Sequence, residues 1–180
     1  MIDENGILEF DSPVGRILLA GCERGLTHLL FVDQGGKPLC APHRPAGDPS
    51  LAAERIVTET EKQLLEYFDG RRREFDLPLA ATGTEFQLAV WTGLREIPYG
   101  KTESYGELAR RIGRAKAVRA VGAANGANPI SIIVPCHRVI GHNRQLTGYG
   151  GGLKAKQTLL ELEGAVFDFR PDRTGVGYHA

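Results

Sequence analysis

The 180-residue sequence has few cysteines, no long apolar run and no net charge, and each absence excludes a class of protein. Its three cysteines, Cys22, Cys40 and Cys136, form no CxxC pair, so we expect no disulfide framework and a reducing, cytoplasmic compartment. No apolar stretch approaches the ~20 residues that a membrane-spanning helix needs. The N-terminal residues MIDENG lack the basic start and apolar core of a secretory signal, so we expect none.

The zero net charge conceals a difference between the two halves of the chain. Residues 1–80 contain 14 acidic and 9 basic side chains, for a charge of −5, whereas residues 81–180 contain 8 and 13, for +5. Such an asymmetry predicts two units with different roles. We expect domains 1–80 and 81–180, which meet in the segment AATGT just before a helix that Thr84 is predicted to cap.

The first half is predicted to be a small antiparallel sheet followed by a helix. The helix is expected from Leu51 to Phe68, with Tyr67 among the residues of its apolar face. Phe75–Leu79 is expected to form one more strand. The three preceding strands are apolar or β-branched runs separated by turn residues: Ile7–Phe10, Arg16–Ala20 and Leu26–Val32.

The second half is predicted to be mostly helical and to contain a helix-turn-helix. Ser104 is expected to cap a helix at Tyr105–Ile112. A further helix, rich in small residues, is expected at Ala115–Asn125 with Val118 and Val121 facing the core. Two short helices joined by a glycine-containing turn are typical of this motif, in which the second helix contacts DNA.

The same helix pair carries positive charge, with six basic and two acidic side chains in residues 101–126. Most such charge runs are solvated helical faces, and helix-turn-helix geometry also occurs in plain helical packing, so the pattern alone leaves both interpretations open. Small residues on the second helix favour DNA binding, because they let the backbone approach a duplex while flanking cations meet phosphates.

The apolar run Ile130–Val134 predicts a buried strand that leads to the corner Pro135-Cys136-His137, a suitable place for a nucleophile. A thiol with an ordinary pKa of about 8.5 needs a base in order to ionise at neutral pH. His137 is the candidate base. Because adjacent side chains do not face each other, we expect a bridging water, with Glu163 orienting the imidazolium. The competing interpretation is a buried cysteine that only packs.

These residues resemble the active-site motif PCHRVIG of the 6-O-alkylguanine-DNA alkyltransferases, also called methylated-DNA–protein-cysteine methyltransferases. The segments IPYGKTESYGELA, RAVGAANGANPISIIVPCHRVIG, LTGYGGGL and LLELEG follow the family's order and spacing. The similarity covers about residues 84–164 and the DSPVG turn near the N-terminus. It implies an α+β fold, in which a ribonuclease H-like N-terminal domain has a small antiparallel sheet and a helix, and a helical C-terminal domain carries a winged helix-turn-helix.

The resemblance implies single-turnover DNA repair, in which Cys136 accepts the alkyl group of 6-O-alkylguanine, with 4-O-alkylthymine as a further candidate substrate. Tyr105 would contact the flipped base, and Arg119 would fill the place of the extruded nucleotide. Asn128 would brace the reactive loop. The implied catalytic residues are Cys136, His137, Glu163 and Asn128; the base-binding residues are Tyr105, Val139, Tyr149, Gly150 and Gly151; and the DNA-contacting residues are Arg119, Lys116, Ala117, Gly122 and Ala123.

The resemblance also implies what the protein does and does not bind. The expected partner is double-stranded DNA containing alkylated guanine, contacted through the minor groove by a monomer, with cooperative loading left open and no membrane. No cofactor is expected. Some members hold zinc with two cysteines and two histidines, but here only Cys22 matches, Glu4 stands near the place of the other cysteine, and His28 is one place out of register. We therefore expect no metal.

Two other functions are consistent with a DNA-binding helix pair. One is a lesion sensor like the alkyltransferase-like proteins, which commonly carry tryptophan at the cysteine position, so Cys136 in an intact PCHRV motif favours the enzyme. The other is a transcriptional regulator, which usually needs a partner or effector domain that this chain leaves little room for.

Overall fold

A computed structural model describes residues 2–3, 5–39 and 45–167, so the expectations that concern Glu4 and Cys40 lie outside the described residues. Its first half is a three-stranded antiparallel sheet of strands β1 (Ile7–Ser12), β2 (Gly15–Cys22) and β3 (Gly25–Phe31), in that order across the sheet. The three predicted strands are thus confirmed, with ends that differ by one or two residues.

The central strand β2 is buried on both faces, and helix α1 (Leu51–Phe68) covers one of them. The helix begins where Ser50 Oγ accepts from the Ala53 amide, and it has the predicted bounds. It lies close to the sheet at Gly21, where an added Cβ would be 3.4 Å from the Ala53 carbonyl oxygen. The absence of a side chain there lets helix and strand approach each other.

The strand predicted at Phe75–Leu79 is wrong. Both backbone polar groups of Asp76 are bound by one side chain, because Gln63 Oε1 accepts from the Asp76 amide at 2.9 Å and Gln63 Nε2 donates to its carbonyl at 3.0 Å. Proline at position 78 has no amide to donate. The segment therefore stays extended and joins the sheet by a single bridge between Leu26 and Leu79.

The second half contains four α-helices among the described residues. A two-residue parallel pair, β4 (Glu103–Ser104) with β5 (Val139–Ile140), joins the start of the helix-turn-helix to the segment after Cys136. Thr84 and Ser104 form the predicted N-caps, each in a reciprocal capping box. The four helices are α2 (Glu85–Arg95), α3 (Tyr105–Arg111), α4 (Val118–Gly126) and α5 (Gly152–Leu162).

Helix α4 begins three residues later than predicted. The Ala117 amide donates to the Arg114 carbonyl in a separate turn, and Ala117 is the N-cap residue, without a side-chain capping bond. Lys116 and Ala117 therefore precede the helix. Val121 faces the core as predicted, but Val118 lies in the first turn and is exposed.

The run Ile130–Val134 is buried as predicted, but it is not a strand. Ile130 forms one bridge to Leu29 of β3, after which the chain turns, with Ile132 at a φ of 69°. One continuous apolar core links the sheet to the helices through these residues. The domain boundary near residue 80 stays a prediction. None of the described helices is long and apolar enough to cross a membrane.

Candidate active site

Cys136 begins a short 3-10 helix, Cys136–Arg138, directly after the buried turn. Its side chain is 5% exposed and lines a cavity of about 360 Å³ between the two halves of the molecule. Strand β3 supplies one wall of this cavity, and the end of α4 with the loop before α5 supplies the others. The polar and aromatic side chains that share the cavity with the thiol are His28, Phe31, Asn125, Asn128, Ser131 and Tyr149.

Asn128 spans the turn that carries Cys136. Its Nδ2 donates to the Val134 carbonyl at 2.8 Å, and its Oδ1 accepts from the Ile130 amide at 3.0 Å. These two bonds hold the start and the end of the turn together, which includes the left-handed backbone of Ile132. Asn128 therefore helps to hold the turn that positions the thiol.

His137 and Glu163 form a fully buried pair, with 2.9 Å between His137 Nε2 and Glu163 Oε1. Burial would raise the pKa of Glu163, but hydrogen bonds and charge from His137 and Arg138 hold it well below its ordinary value. Burial lowers the pKa of His137, and the bond to Glu163 opposes this shift only in part. An ionised carboxylate only accepts hydrogen bonds, so Nε2 carries the proton and Nδ1 presents its lone pair.

Nδ1 of His137 is buried and has no hydrogen-bond partner among the described residues. It is the nitrogen that remains available to take a proton. No direct bond joins His137 to Cys136 within the described part of the chain, which agrees with the sequence argument that neighbouring side chains point apart. The bridging water stays a prediction.

The Glu163 carboxylate has several further donors that the sequence interpretation missed. Arg138 binds it with two nitrogens, from Nε to Oε2 and from Nη2 to Oε1, each at 2.9 Å. The Gly100 amide donates to Oε2 at 3.1 Å, and the Tyr67 hydroxyl donates to Oε1 at 2.7 Å. The phenol of Tyr67 on the core face of α1 was an available signal, because a buried tyrosine hydroxyl usually has a partner.

Lys156 is another buried charged residue near Cys136 that the sequence analysis missed. It is fully buried on α5, and its Nζ donates to the carbonyl of Val139 at 2.6 Å and of Thr147 at 2.8 Å. Burial lowers the pKa of Lys156 to about 8, although the charge of Cys136 opposes the shift. Burial also raises the pKa of the Cys136 thiol, and Asn128 and Lys156 act in the opposite direction.

The candidate base-binding residues gather around the cavity and behind it. Tyr149 and Gly150 line the cavity, and the Tyr149 ring lies edge-on to Phe31, with centroids 5.4 Å apart. Gly151 follows at a point where an added Cβ would be 2.8 Å from the Phe31 ring. A side chain at position 151 would therefore force the Phe31 ring or the loop to move.

Two other members of that set lie beside the cavity lining. Tyr105, at the start of α3, is half-buried, and its hydroxyl accepts from Thr147 Oγ1 at 3.2 Å. Burial raises the pKa of Tyr105, so its hydroxyl stays protonated at neutral pH. Val139 is fully buried, and its carbonyl already accepts from Lys156, so any contact with a base would use the second lone pair of that oxygen.

The candidate DNA-contacting residues form an exposed surface at α4. Lys116, Arg119 and Ala123 are exposed, and neither cation forms an ion pair with a described residue. Gly122 is half-buried, and a Cβ there would lie 3.8 Å from the Tyr105 ring, so this surface backs directly onto a candidate base-binding residue. Ala117 is half-buried before the helix.

One cation of the helix pair is not available to a phosphate. Arg111 is paired with Glu96 and with Glu103, and its Nη2 also donates to the Gly93 carbonyl at 2.8 Å. Part of the positive charge counted in the sequence therefore stabilises the packing of α2 against α3.

The expected absence of zinc stays a prediction. Cys22 is half-buried at the end of β2, and His28 Nδ1 lies 3.1 Å from the Thr27 hydroxyl. Among the described residues, no group of three histidine, cysteine or carboxylate side chains could hold a metal ion. Elemental analysis of the purified protein tests the prediction, and a stoichiometric metal would contradict it.

Fold and site together describe an α+β protein in which a buried cysteine lines a cavity between an antiparallel sheet and a cationic helix-turn-helix. Residues 9–81 match the ribonuclease-like domain of 6-O-methylguanine DNA methyltransferase, and residues 85–165 match its DNA binding domain. The chain therefore belongs to the 6-O-methylguanine DNA methyltransferase family, and the family resemblance seen in the sequence is confirmed.

Relatives with this domain pair are similar over almost their whole length. A methylated-DNA–protein-cysteine methyltransferase of Methanosarcina acetivorans is 53% identical over 156 residues, which are 87% of this chain and 96% of the relative. One from Mycolicibacterium paratuberculosis is 51% identical over 153 residues, 85% and 88% of the two chains. A crystal structure of Mycobacterium tuberculosis OGT in complex with DNA is 48% identical, covers 88% of this chain and 92% of its own, and superposes with a TM-score of 0.76. The predicted fold class is confirmed.

Proposed function

We propose that this protein repairs DNA directly, by moving the alkyl group of 6-O-alkylguanine onto its own Cys136. Its activity is that of a methylated-DNA–protein-cysteine methyltransferase, the name its relatives bear. One observation carries the proposal: the Cys136 thiol lines a cavity while the neighbouring His137 is bonded through Nε2 to Glu163 and keeps Nδ1 for a proton. A cysteine that served only for packing would need neither the cavity nor the pair.

Proton transfer is the first step of the proposed reaction. The Cys136 proton moves through a water to His137 Nδ1, and the ionised Glu163 stabilises the imidazolium. The positive charge of Lys156 favours the thiolate, against a burial that disfavours it. Asn128 keeps the sulfur in place by holding the turn.

Alkyl transfer follows by in-line displacement. A sulfur–carbon bond forms, the bond from the alkyl carbon to oxygen 6 breaks, and guanine leaves with the electron pair. Tyr105, whose hydroxyl stays protonated, donates a hydrogen bond to the departing guanine anion. This anion takes up one proton from solvent and the His137 imidazolium returns one, so the net reaction moves the thiol proton to guanine. The product is a thioether, and because thiol exchange cannot cleave it, the protein acts once.

A base inside a duplex cannot reach this cavity, so the proposal requires base flipping, which costs a few kcal/mol. Tyr149, Gly150 and Gly151 would cover the extruded base, and Val139 would offer its carbonyl. The cavity opens between β3 and the end of α4, and a Cβ added at Gly122 of α4 would lie 3.8 Å from the Tyr105 ring. The helix that would meet DNA is therefore next to the residues that would bind the base.

DNA is the proposed partner, since a close relative was crystallised in complex with it. We infer that α4 enters the minor groove with its small residues Gly122 and Ala123, while Arg119 fills the gap in the base stack and Lys116 meets a phosphate. A monomer is the expected form, with cooperative loading left open. The cytoplasm is the expected compartment, because an alkyl acceptor must remain a free thiol.

Intact-mass measurement tests the proposal. The protein is incubated with a duplex oligonucleotide containing 6-O-methylguanine, and a gain of one methyl group at Cys136 is expected, with none for Cys136→Ala. Cys22→Ala is the matched control and should still gain the methyl group. Tight binding of the lesion without any mass gain would contradict the enzyme and support a lesion sensor.

A further inference from the structure

One hydroxyl of the N-terminal half forms a hydrogen bond with the His137–Glu163 pair. Tyr67, on helix α1, is fully buried, and its hydroxyl donates to Glu163 Oε1 at 2.7 Å. The same oxygen accepts from His137 Nε2 at 2.9 Å and from Arg138 Nη2 at 2.9 Å. Three donors thus share one carboxylate oxygen, and one of them comes from the N-terminal half.

We propose that Tyr67 is a positioning residue for alkyl transfer. Its hydroxyl orients the Glu163 carboxylate and weakens the hydrogen bond and charge interaction of that carboxylate with His137. The inference rests on the proposed function for its role in repair. It gives the N-terminal half a part in the chemistry, beyond its packing against the helical half.

Packing alone does not explain the hydroxyl. The Tyr67 ring is held by three aromatic neighbours, with ring centroids at 5.6 Å to Phe68, 5.4 Å to Phe75 and 6.2 Å to Tyr99. A phenylalanine would make the same ring contacts. A buried hydroxyl is costly unless it finds a partner, and its partner among the described residues is Glu163.

The hydroxyl is a permanent donor in this environment. Burial and the charge of Glu163 raise the pKa of Tyr67 far above its ordinary value, so the phenol does not ionise in the working range. Other groups also face the pair: Arg138 binds Glu163 directly, Lys156 lies on the side of Cys136, and Tyr99 lies beyond Tyr67. Removing the Tyr67 hydroxyl leaves all of these in place.

The direction of the effect follows from the shared oxygen. Without the Tyr67 donor, more of the carboxylate charge acts on His137, and the imidazole becomes more basic. A more basic imidazole favours the imidazolium–thiolate pair. The variant should therefore form its thiolate at lower pH than the parent protein.

Tyr67→Phe in the full chain tests the inference with two measurements across pH. One is the rate at which iodoacetamide modifies Cys136, followed by peptide mass, and the other is the rate of transfer from free 6-O-benzylguanine. The midpoint of both profiles should move down by about 0.5 pH unit, which is a factor of ~3 in the thiolate ratio. Tyr99→Phe is the matched control. It removes the hydroxyl of a half-buried tyrosine that donates to the Leu162 carbonyl, and the midpoint should remain that of the parent.

A second variant should shift the pH midpoint in the opposite direction. Replacing Tyr67 with 3-fluorotyrosine keeps the shape and makes the hydroxyl a stronger donor, so the midpoint should move up. If Tyr67→Phe does not fold, this variant decides. A lower melting temperature with an unmoved midpoint in both variants would overturn the inference and leave Tyr67 a packing residue.

The iodoacetamide profile does not require any alkylguanine. A parent protein that transfers no alkyl group, yet whose iodoacetamide midpoint shifts in Tyr67→Phe, would sink the proposed function and keep the positioning role. If the parent and Tyr67→Phe both transferred the alkyl group with the same pH profile, the proposed function would stand and the positioning role of Tyr67 would be excluded.

Discussion

Glu163→Gln should strongly destabilise the protein and also slow alkyl transfer to Cys136. The substitution keeps the size of the side chain but removes the negative charge that Arg138 binds with two nitrogens, and Arg138 is only 7% exposed. Breaking a buried ion pair by removing one partner costs about 3–5 kcal/mol, because the other charge stays buried and uncompensated. For a chain of this length that corresponds to a fall in melting temperature of roughly 6–20 °C.

A more accessible arginine–glutamate pair gives the matched control. Arg72 Nε lies 2.7 Å from Glu66 Oε2, but both side chains are about a quarter exposed. Glu66→Gln should therefore cost about 1 kcal/mol or less. Chemical denaturation of both variants measures the difference. If Glu163→Gln cost no more than Glu66→Gln, the argument that the carboxylate neutralises a buried arginine would be refuted.

Three further predictions concern the reaction. Lys156→Met should slow alkylation of Cys136 at neutral pH. In the parent we expect the rate to fall as Lys156 loses its charge above its pKa of about 8, and this fall should be absent from the variant's pH–rate profile. Arg119→Ala should impair repair of duplex DNA far more than reaction with free 6-O-benzylguanine, and equal losses on both would exclude a role in base flipping. Gly151→Ala should cost about 1–3 kcal/mol of unfolding free energy and slow transfer, because its Cβ would overlap the Phe31 ring, and Phe31→Leu should restore part of both. An undiminished melting temperature for Gly151→Ala would contradict that close approach.

Local structure was predictable wherever neighbouring residues decide it. Thr84 and Ser104 each stand three residues before a side chain that completes a capping box, so both helix starts were visible in the sequence. The predictions failed where a distant side chain competes for the backbone. Phe75–Leu79 has the composition of a strand, but Gln63, more than ten residues earlier, binds the groups that a sheet would use.

The candidate site divides in the same way. The motif PCHRVIG was enough to single out Cys136 and His137, because the two residues are neighbours within one motif that is typical of the family. The motif also contains Arg138, yet nothing local shows that this arginine turns away from solvent to bind Glu163. The local sequence around Lys156 does not distinguish it from an exposed lysine. It is buried because α5 packs against Val139 and Thr147.

Sequence alone was sufficient for the family, the first three strands, the order of the α-helices and the identity of the candidate cysteine, since each depends on residues that are close together in the chain. Tertiary structure alone decided the electrostatics of the thiol. Tyr67 and Glu163 are 96 positions apart, and their hydroxyl–carboxylate bond exists because α1 packs across the sheet toward the end of α5. The pKa values of buried groups depend on what surrounds them in space, and that environment is built by folding.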